Sequence, residues 1–265
     1  MGSSSIFSLR ARKILITGAA GHLGQALSEY FLSDGATVFA VDLNEEGLAS
    51  LESRLKPARG SFFAFCSDLS DEVQRAGLVE QLRAQTETLD GAVFAAAFVG
   101  TSNLEGWAVD FAYQSVSTWR KALELNLSAP FHLTQLLEPL LSEGKSPSVV
   151  NVGSIYGSIG PDWNLYADLN MSNPAAYAAS KGGLAQLTRW LASTLAPRIR
   201  VNIVSPGGIS RGQHSDFIER YSQKTPLGRM ATELDVVGPI AFLLSDAGGF
   251  ITGRELIVDG GFSAI

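Results

Sequence analysis

The chain predicts an α/β fold, a single domain built on a doubly wound parallel sheet with helices on both faces. Short runs rich in β-branched and aromatic residues alternate with helix-length amphipathic segments from end to end. Hydrophobic residues make up 46% of the 265, against 17% charged, as a sheet covered on both faces requires. A glycine-rich turn also joins the first apolar run to the first helical segment.

The predicted strands follow in order: "KILIT" at 13–17, "TVFAVD" at 37–42, "SFFAFCS" at 61–67, "GAVFAAA" at 91–97, "SVVNVGS" at 148–154, "RVNIVS" at 200–205 and "ELIVD" at 255–259. Each is short, apolar and bounded by turn formers, so each suits a strand buried on both faces. Between them lie stretches such as "HLGQALSEYFLSDG" and "LAQLTRWLASTLA", whose apolar residues recur at three and four, the spacing of a helix with one buried face. Parallel strands joined through helices take right-handed crossovers. Residues 1–11 read as a flexible N-terminus, and no repeat or linker divides residues 12–265, which read as one domain.

Composition narrows the partners. A net charge of −6 supplies no basic surface for phosphate backbones, so no nucleic-acid partner is expected. No apolar run reaches the roughly 18 residues of a membrane span, and the first residues lack a signal peptide's apolar stretch, so neither a membrane partner nor export is expected. One cysteine, Cys66, forms no internal disulfide, and three scattered histidines form no metal-ligand cluster. A cytoplasmic location and no bound metal are expected from this pattern.

"ITGAAGHLG" places Gly18, Gly21 and Gly24 at a strand-to-helix junction, with His22 and Leu23 in the same turn. There the backbone can approach a pyrophosphate, and the helix N-terminus supplies N–H groups and positive potential. Asp42 ends the second strand, 24 residues beyond Gly18, where a ribose-binding acid is expected. Its carboxylate would accept hydrogen bonds from the adenosine 2′-hydroxyl and repel a 2′-phosphate. The expected cofactor is therefore NAD, with NADP disfavoured, on a Rossmann-like sheet. Further on, "YAASK" sets Tyr177 and Lys181 four residues apart at a helix start, on one face, where both can touch one bound molecule.

With these residues in view, the chain from 13 to its end resembles the short-chain dehydrogenase/reductase family. The resemblance rests on "TGAAGHLG", "SDL" (67–69), "LNLSAPF" (125–131), "NVGSIYG" (151–157), "YAASK", "VNIVSPGGI" (201–209) and "ITGRELIVDGG". It implies that Tyr177 is a general acid/base, that Lys181 lowers its pKa and holds the nicotinamide ribose, that Ser154 hydrogen-bonds the substrate oxygen and that Asn126 anchors a water. Tyrosine ionises near pH 10, so base work at neutrality needs a shift of about 2 to 3 units, which an adjacent ammonium and a cationic nicotinamide favour. The resemblance also implies cofactor contacts from Asp68 and Leu69, from Ala96, and from Pro206, Gly207 and Ile209, and a homotetramer or homodimer.

The pattern departs from the family's in three places. The glycine spacing is that of the extended branch, "FAAA" (94–97) stands where an Asn-Asn-Ala-Gly is common, and Ser154 and Tyr177 are 23 residues apart. Residues 157–174 fill that gap as an insertion over the substrate mouth. Trp163, Tyr166 and Met171 are its candidate substrate-binding residues, suited to a polyhydroxylated ring. The segment is similar to enzymes of bacterial surface-sugar and flagellin-glycan modification. Residues 207–229 occupy the place of a substrate lid, where Arg211, with His214, Arg220 and Lys224 behind it, is a candidate for an anionic substrate group, and where Arg229 is expected to anchor a carboxylate. The expected activity is NAD-dependent interconversion of a secondary alcohol and a ketone on a polar, sugar-derived small molecule. A non-redox epimerase or dehydratase with tightly bound NAD, and a non-catalytic dinucleotide sensor, are the alternatives.

Overall fold

The computed structural model describes residues 5–55 and 59–265. Seven parallel strands form one sheet: β1 (Lys13–Thr17), β2 (Thr37–Asp42), β3 (Ser61–Cys66), β4 (Gly91–Phe94), β5 (Ser148–Val152), β6 (Arg200–Pro206) and β7 (Glu255–Val258). Their order is β3-β2-β1-β4-β5-β6-β7, so the winding reverses between β1 and β4. The helices are α1 (His22–Ser33), α2 (Glu45–Leu55), α3 (Glu72–Arg83), α4 (Val116–Leu123), α5 (Ala129–Ser142), α6 (Ala175–Leu195), α7 (Ser215–Lys224) and α8 (Glu233–Leu244).

The pleat divides each strand between two cores, because successive side chains point to opposite faces. Ile14 and Ile16 of β1 pack with Leu27 and Phe31 of α1 and Val236 and Ile240 of α8. Leu15 between them packs with Leu78 of α3, Leu137 of α5 and Leu191 of α6. The predicted double winding is therefore the observed one.

Two strand ends differ from the sequence reading by more than one residue. The fourth run stops pairing at Phe94, because the amides of Ala95 and Ala96 turn to the Thr17 hydroxyl at 3.1 and 3.2 Å instead of continuing the ladder. The fifth stops at Val152, leaving Gly153 and Ser154 beyond the sheet's carboxyl edge.

The N-terminal stretch read as flexible is packed from Leu9 onward. Leu9 is 0% exposed within the α1–α8 core. Its amide and the Ser8 hydroxyl both bond the Asp34 carboxylate, and the Ala11 amide donates to Gly35 O at 2.9 Å. No periodicity marks this arm, since a single leucine reaches the core. Leu9→Ala should lower the unfolding free energy by about 2 to 4 kcal/mol in urea denaturation, whereas a frayed terminus would give a change below about 0.5 kcal/mol.

Candidate active site

The loops after β1, β2, β3, β4, β5 and β6 converge on one cleft of about 860 Å³ along the carboxyl edge of the sheet. An open parallel sheet presents its ligand crevice there, where the winding reverses. Gly18, Gly21, His22, Leu23 and Gly24 line one end together with Asp42, Asp68 and Leu69; Ala96 follows, and Ser154, Tyr177, Lys181, Pro206, Gly207 and Ile209 line the other.

The glycines at the first end are needed sterically. Gly18 has φ +68°, and a Cβ there would meet Ala96 N at 2.8 Å. At Gly24 a Cβ would lie 2.1 Å from Gly18 O, so the loop closes on the helix only without side chains. No side chain caps α1 at Gly21 and no acid stands in its first turn, which leaves the helix N-terminus open to an anion. Asp42 accepts from the amides of Ala20 and Asn44, each at 2.9 Å, which fixes its carboxylate between the glycine loop and the end of β2. Asp68 is held by Ser70, whose amide and hydroxyl donate to one carboxylate oxygen at 2.8 and 2.7 Å. The Arg75 guanidinium, buried behind, donates to Leu69 O at 2.7 Å and pairs with Glu124 at 2.8 Å.

At the other end, Lys181 is 4% exposed on α6 and donates to Val152 O at 2.7 Å, which ties the helix to the end of β5. Its Nζ lies 5.7 Å from the centre of the Tyr177 ring. Burial lowers the Lys181 pKa to about 8. Burial also raises the Tyr177 pKa above its ordinary value, with the hydrogen bond to Ser154 and the charge of Arg211 acting against that rise. The sequence reading expected the lysine to lower the phenol; desolvation is instead the largest influence and raises it. The Ser154 oxygen accepts from the Tyr156 amide at 3.2 Å, so its own proton remains to donate.

Asn126 sits in a π-helical segment, Glu124–Ser128, between α4 and α5, and its side chain does not line the cleft. Its Oδ1 accepts from Phe98 N at 2.8 Å, and its Nδ2 donates to Phe98 O and Ser180 Oγ, both at 3.1 Å. These bonds fasten the loop after β4 to the first turns of α6.

Of the insertion residues, Tyr166 and Met171 line the cleft and Trp163 does not. Trp163 is 56% exposed and packs on Tyr166 at 5.7 Å between ring centres. Asp162 holds it outside: its carboxylate caps the turn Trp163–Leu165 through the Asn164 amide and pairs with Lys224 at 2.6 Å. Arg220 donates to Ala167 O at 2.6 Å. Lys224 and Arg220 therefore clamp α7 onto the insertion instead of facing a substrate anion, and His214 caps α7 with its ring half exposed. Arg211 does line the cleft, while its Nε donates to Glu233 at 2.9 Å. The carboxylate expected for Arg229 is that of Asp235, held at 2.8 and 2.9 Å.

Sequence reasoning missed Tyr156, Asn170, Asn173 and Phe217, all of which face the cleft. Tyr156 had a signal, standing two residues after Ser154 in "GSIYG", and the amides belong to the polar run "LNMSN". Phe217 had none beyond its place on an amphipathic helix. Among the described residues no cluster suited to a metal ion occurs, and no helix is long and apolar enough to cross a membrane.

A family model described as "Enoyl-(Acyl carrier protein) reductase" matches residues 18–263. The chain is 31% identical over 258 residues to the 3-oxoacyl-[acyl-carrier-protein] reductase FabG of Thermotoga maritima, covering 96% of this chain and 98% of that protein. Among solved structures, the Pseudomonas aeruginosa RhlG/NADP active-site complex superimposes with TM-score 0.86 at 29% identity, covering 98% of this chain and 99% of the other. A short-chain dehydrogenase from Leptospira borgpetersenii with bound NAD+ gives TM-score 0.86 at 32% identity, covering 99% and 97%. With a match spanning nearly its whole length, the chain belongs to the short-chain dehydrogenase/reductase family, the NAD(P)-dependent oxidoreductases that act on CH–OH groups.

Proposed function

We propose that the chain is an NAD-dependent dehydrogenase that interconverts a secondary alcohol and a ketone on a polar, sugar-derived small molecule, with Tyr177 as general acid/base. The carrying observation is that Ser154, Tyr177 and Lys181 meet at one end of a cleft whose other end is the uncapped helix N-terminus with Asp42 beside it. The surface-sugar branch that the insertion resembles fits the amide-rich, aromatic-lined mouth, and self-association into a homotetramer or homodimer fits the outer edge of β7, where Leu256 and Ile257 are 36% and 45% exposed.

The donor set suits a nicotinamide dinucleotide. Open N–H groups at α1 suit its pyrophosphate, and the fixed Asp42 carboxylate suits a ribose diol and opposes a 2′-phosphate. When bound, such a cofactor supplies hydride transfer to or from the substrate carbon. The rest follows from the chain's own groups. Ser154 donates a hydrogen bond to the substrate oxygen and holds it beside Tyr177. The protonated phenol delivers its proton to that oxygen in the ketone direction; in the alcohol direction it receives one, once added positive charge has lowered its pKa. Lys181, anchored on Val152 O, keeps an ammonium beneath the phenol near neutral pH.

Nicotinamide turnover with NAD and NADP in parallel, against phosphorylated hexoses, amino sugars, nucleotide sugars and polyols, tests the reading. Turnover should appear with NAD on one of these classes, and Tyr177→Phe should lower kcat at least about 10²–10⁴-fold while leaving NAD affinity by calorimetry within about twofold. A variant that keeps its activity sinks the assignment. Asp42→Ala should raise NADP use relative to NAD by about tenfold or more, the worth of one charge-assisted hydrogen bond; an unchanged ratio contradicts the role given to Asp42.

Lys181 predicts a pH signature in the ligand-free protein. Below about pH 8 the ammonium is charged in the folded and unfolded chains alike, and its burial is a standing cost. Above pH 8 the folded chain loses this proton first, while the unfolded lysine holds it to about 10.4. The unfolded state then binds more protons, so stability gains a rising component between about pH 8 and 10. Urea midpoints of the parent protein relative to Lys181→Met should climb across that window; a flat difference would contradict the buried ammonium.

A further inference from the structure

The cleft holds a second hydroxyl site beside Ser154. Tyr156 stands two residues after Ser154 in the same turn, and its hydroxyl lies 2.9 Å from that of Tyr166, which the insertion brings across from the other side. Both rings line the cleft. The Tyr166 ring packs on Phe217 at 5.4 Å and on Trp163 at 5.7 Å, so its hydroxyl is held in position by aromatic contacts on both flanks.

The proton count of this pair leaves it incomplete. Two phenols carry two protons, and the bond between them consumes one. The phenol that accepts keeps its own proton without an acceptor among the described residues, and the phenol that donates keeps lone pairs. Burial and the neighbouring Tyr166 push the Tyr156 pKa far above its ordinary value, so Tyr156 stays a neutral phenol. The charged side chain at this end of the cleft besides Lys181 is Arg211, already engaged by Glu233. What the pair offers is a neutral donor and acceptor for an uncharged oxygen. Because the Tyr156 amide donates to Ser154 Oγ at 3.2 Å, one backbone turn fixes this site relative to the reacting oxygen.

We propose that the Tyr156–Tyr166 hydroxyl pair is the subsite for a second, uncharged oxygen of the substrate, making the enzyme selective for hydroxyketones and vicinal diols over simple ketones and alcohols. The inference rests on the dehydrogenase reading and gives its substrate class a structural reason. Tyr166 is then a specificity-determining residue, contributed by the insertion between Ser154 and Tyr177.

The test pairs two ketones that differ by one hydroxyl, 2-hydroxycyclohexanone and cyclohexanone. Each is titrated calorimetrically into the enzyme saturated with NADH and assayed for NADH oxidation. The hydroxyketone should bind and turn over about tenfold better, in keeping with one neutral hydrogen bond. Tyr166→Phe keeps the packed ring and should remove that preference, so that the two ketones bind and turn over alike; Tyr156→Phe should do the same. Equal binding of the two ketones by the parent enzyme, or a Tyr166→Phe variant that loses both in proportion, overturns the proposal. Selective binding that Tyr166→Phe abolishes, without any NADH oxidation, supports the subsite while refuting the dehydrogenase reading.

Discussion

The structure depends on a single topological constraint: all seven strands run the same way, and the winding reverses between β1 and β4. Every strand then delivers its following loop to one edge, and at the reversal the helices after β1 and β4 diverge to opposite faces and leave a crevice. Gly18 meets the Ala96 backbone because these two strands are neighbours, and Thr17 can hold the amides of Ala95 and Ala96 for the same reason. That hydroxyl keeps the end of β4 in place where the family's asparagines are absent.

The second requirement is that buried polar groups at this edge find partners, since an unpaired one costs about 1–3 kcal/mol. Lys181 on Val152 O, Asn126 on the Phe98 backbone and the Ser180 hydroxyl, and the part-buried Asp42 on two amides each meet it. The same bonds set the geometry of the site. α6 carries both duties along its length: its first turns hold Tyr177 and Lys181, and its later turns place Leu191 and Ala192 in the core beneath β5.

Much of this was legible in the sequence, and for physical reasons. The inner strands β1, β2, β4, β5 and β6 announce themselves because burial on both faces demands continuous apolar runs, while the edge strands β3 and β7 are partly exposed. The glycine loop is readable because φ +68° and a sub-van-der-Waals approach to Ala96 tolerate no side chain. Less legible were features made by partners far apart along the chain. Lys224 and Asp162 are 62 residues apart, and Arg220 and Ala167 are 53; no spacing rule joins them, so two cations that suit an anion site in the sequence are structural clamps in the fold. Trp163 misled for the same reason, since the clamp turns it outward. Leu9 was hidden because one buried leucine has no period, and the Tyr156–Tyr166 contact because nothing in the sequence joins Tyr166, read as a substrate-binding candidate, to Tyr156 until the insertion closes on the turn after β5.

The most direct test of the central claim, hydride transfer at the Tyr177 end of the cleft, is isotopic. NADH deuterated at the transferring position of C4 would be incubated with the ketone formed from the best-oxidised member of the substrate panel, and the product examined by NMR. The account predicts one deuterium on the new carbinol carbon, and no labelled alcohol from Tyr177→Phe. An alcohol or rearranged sugar formed without deuterium at that carbon would contradict it.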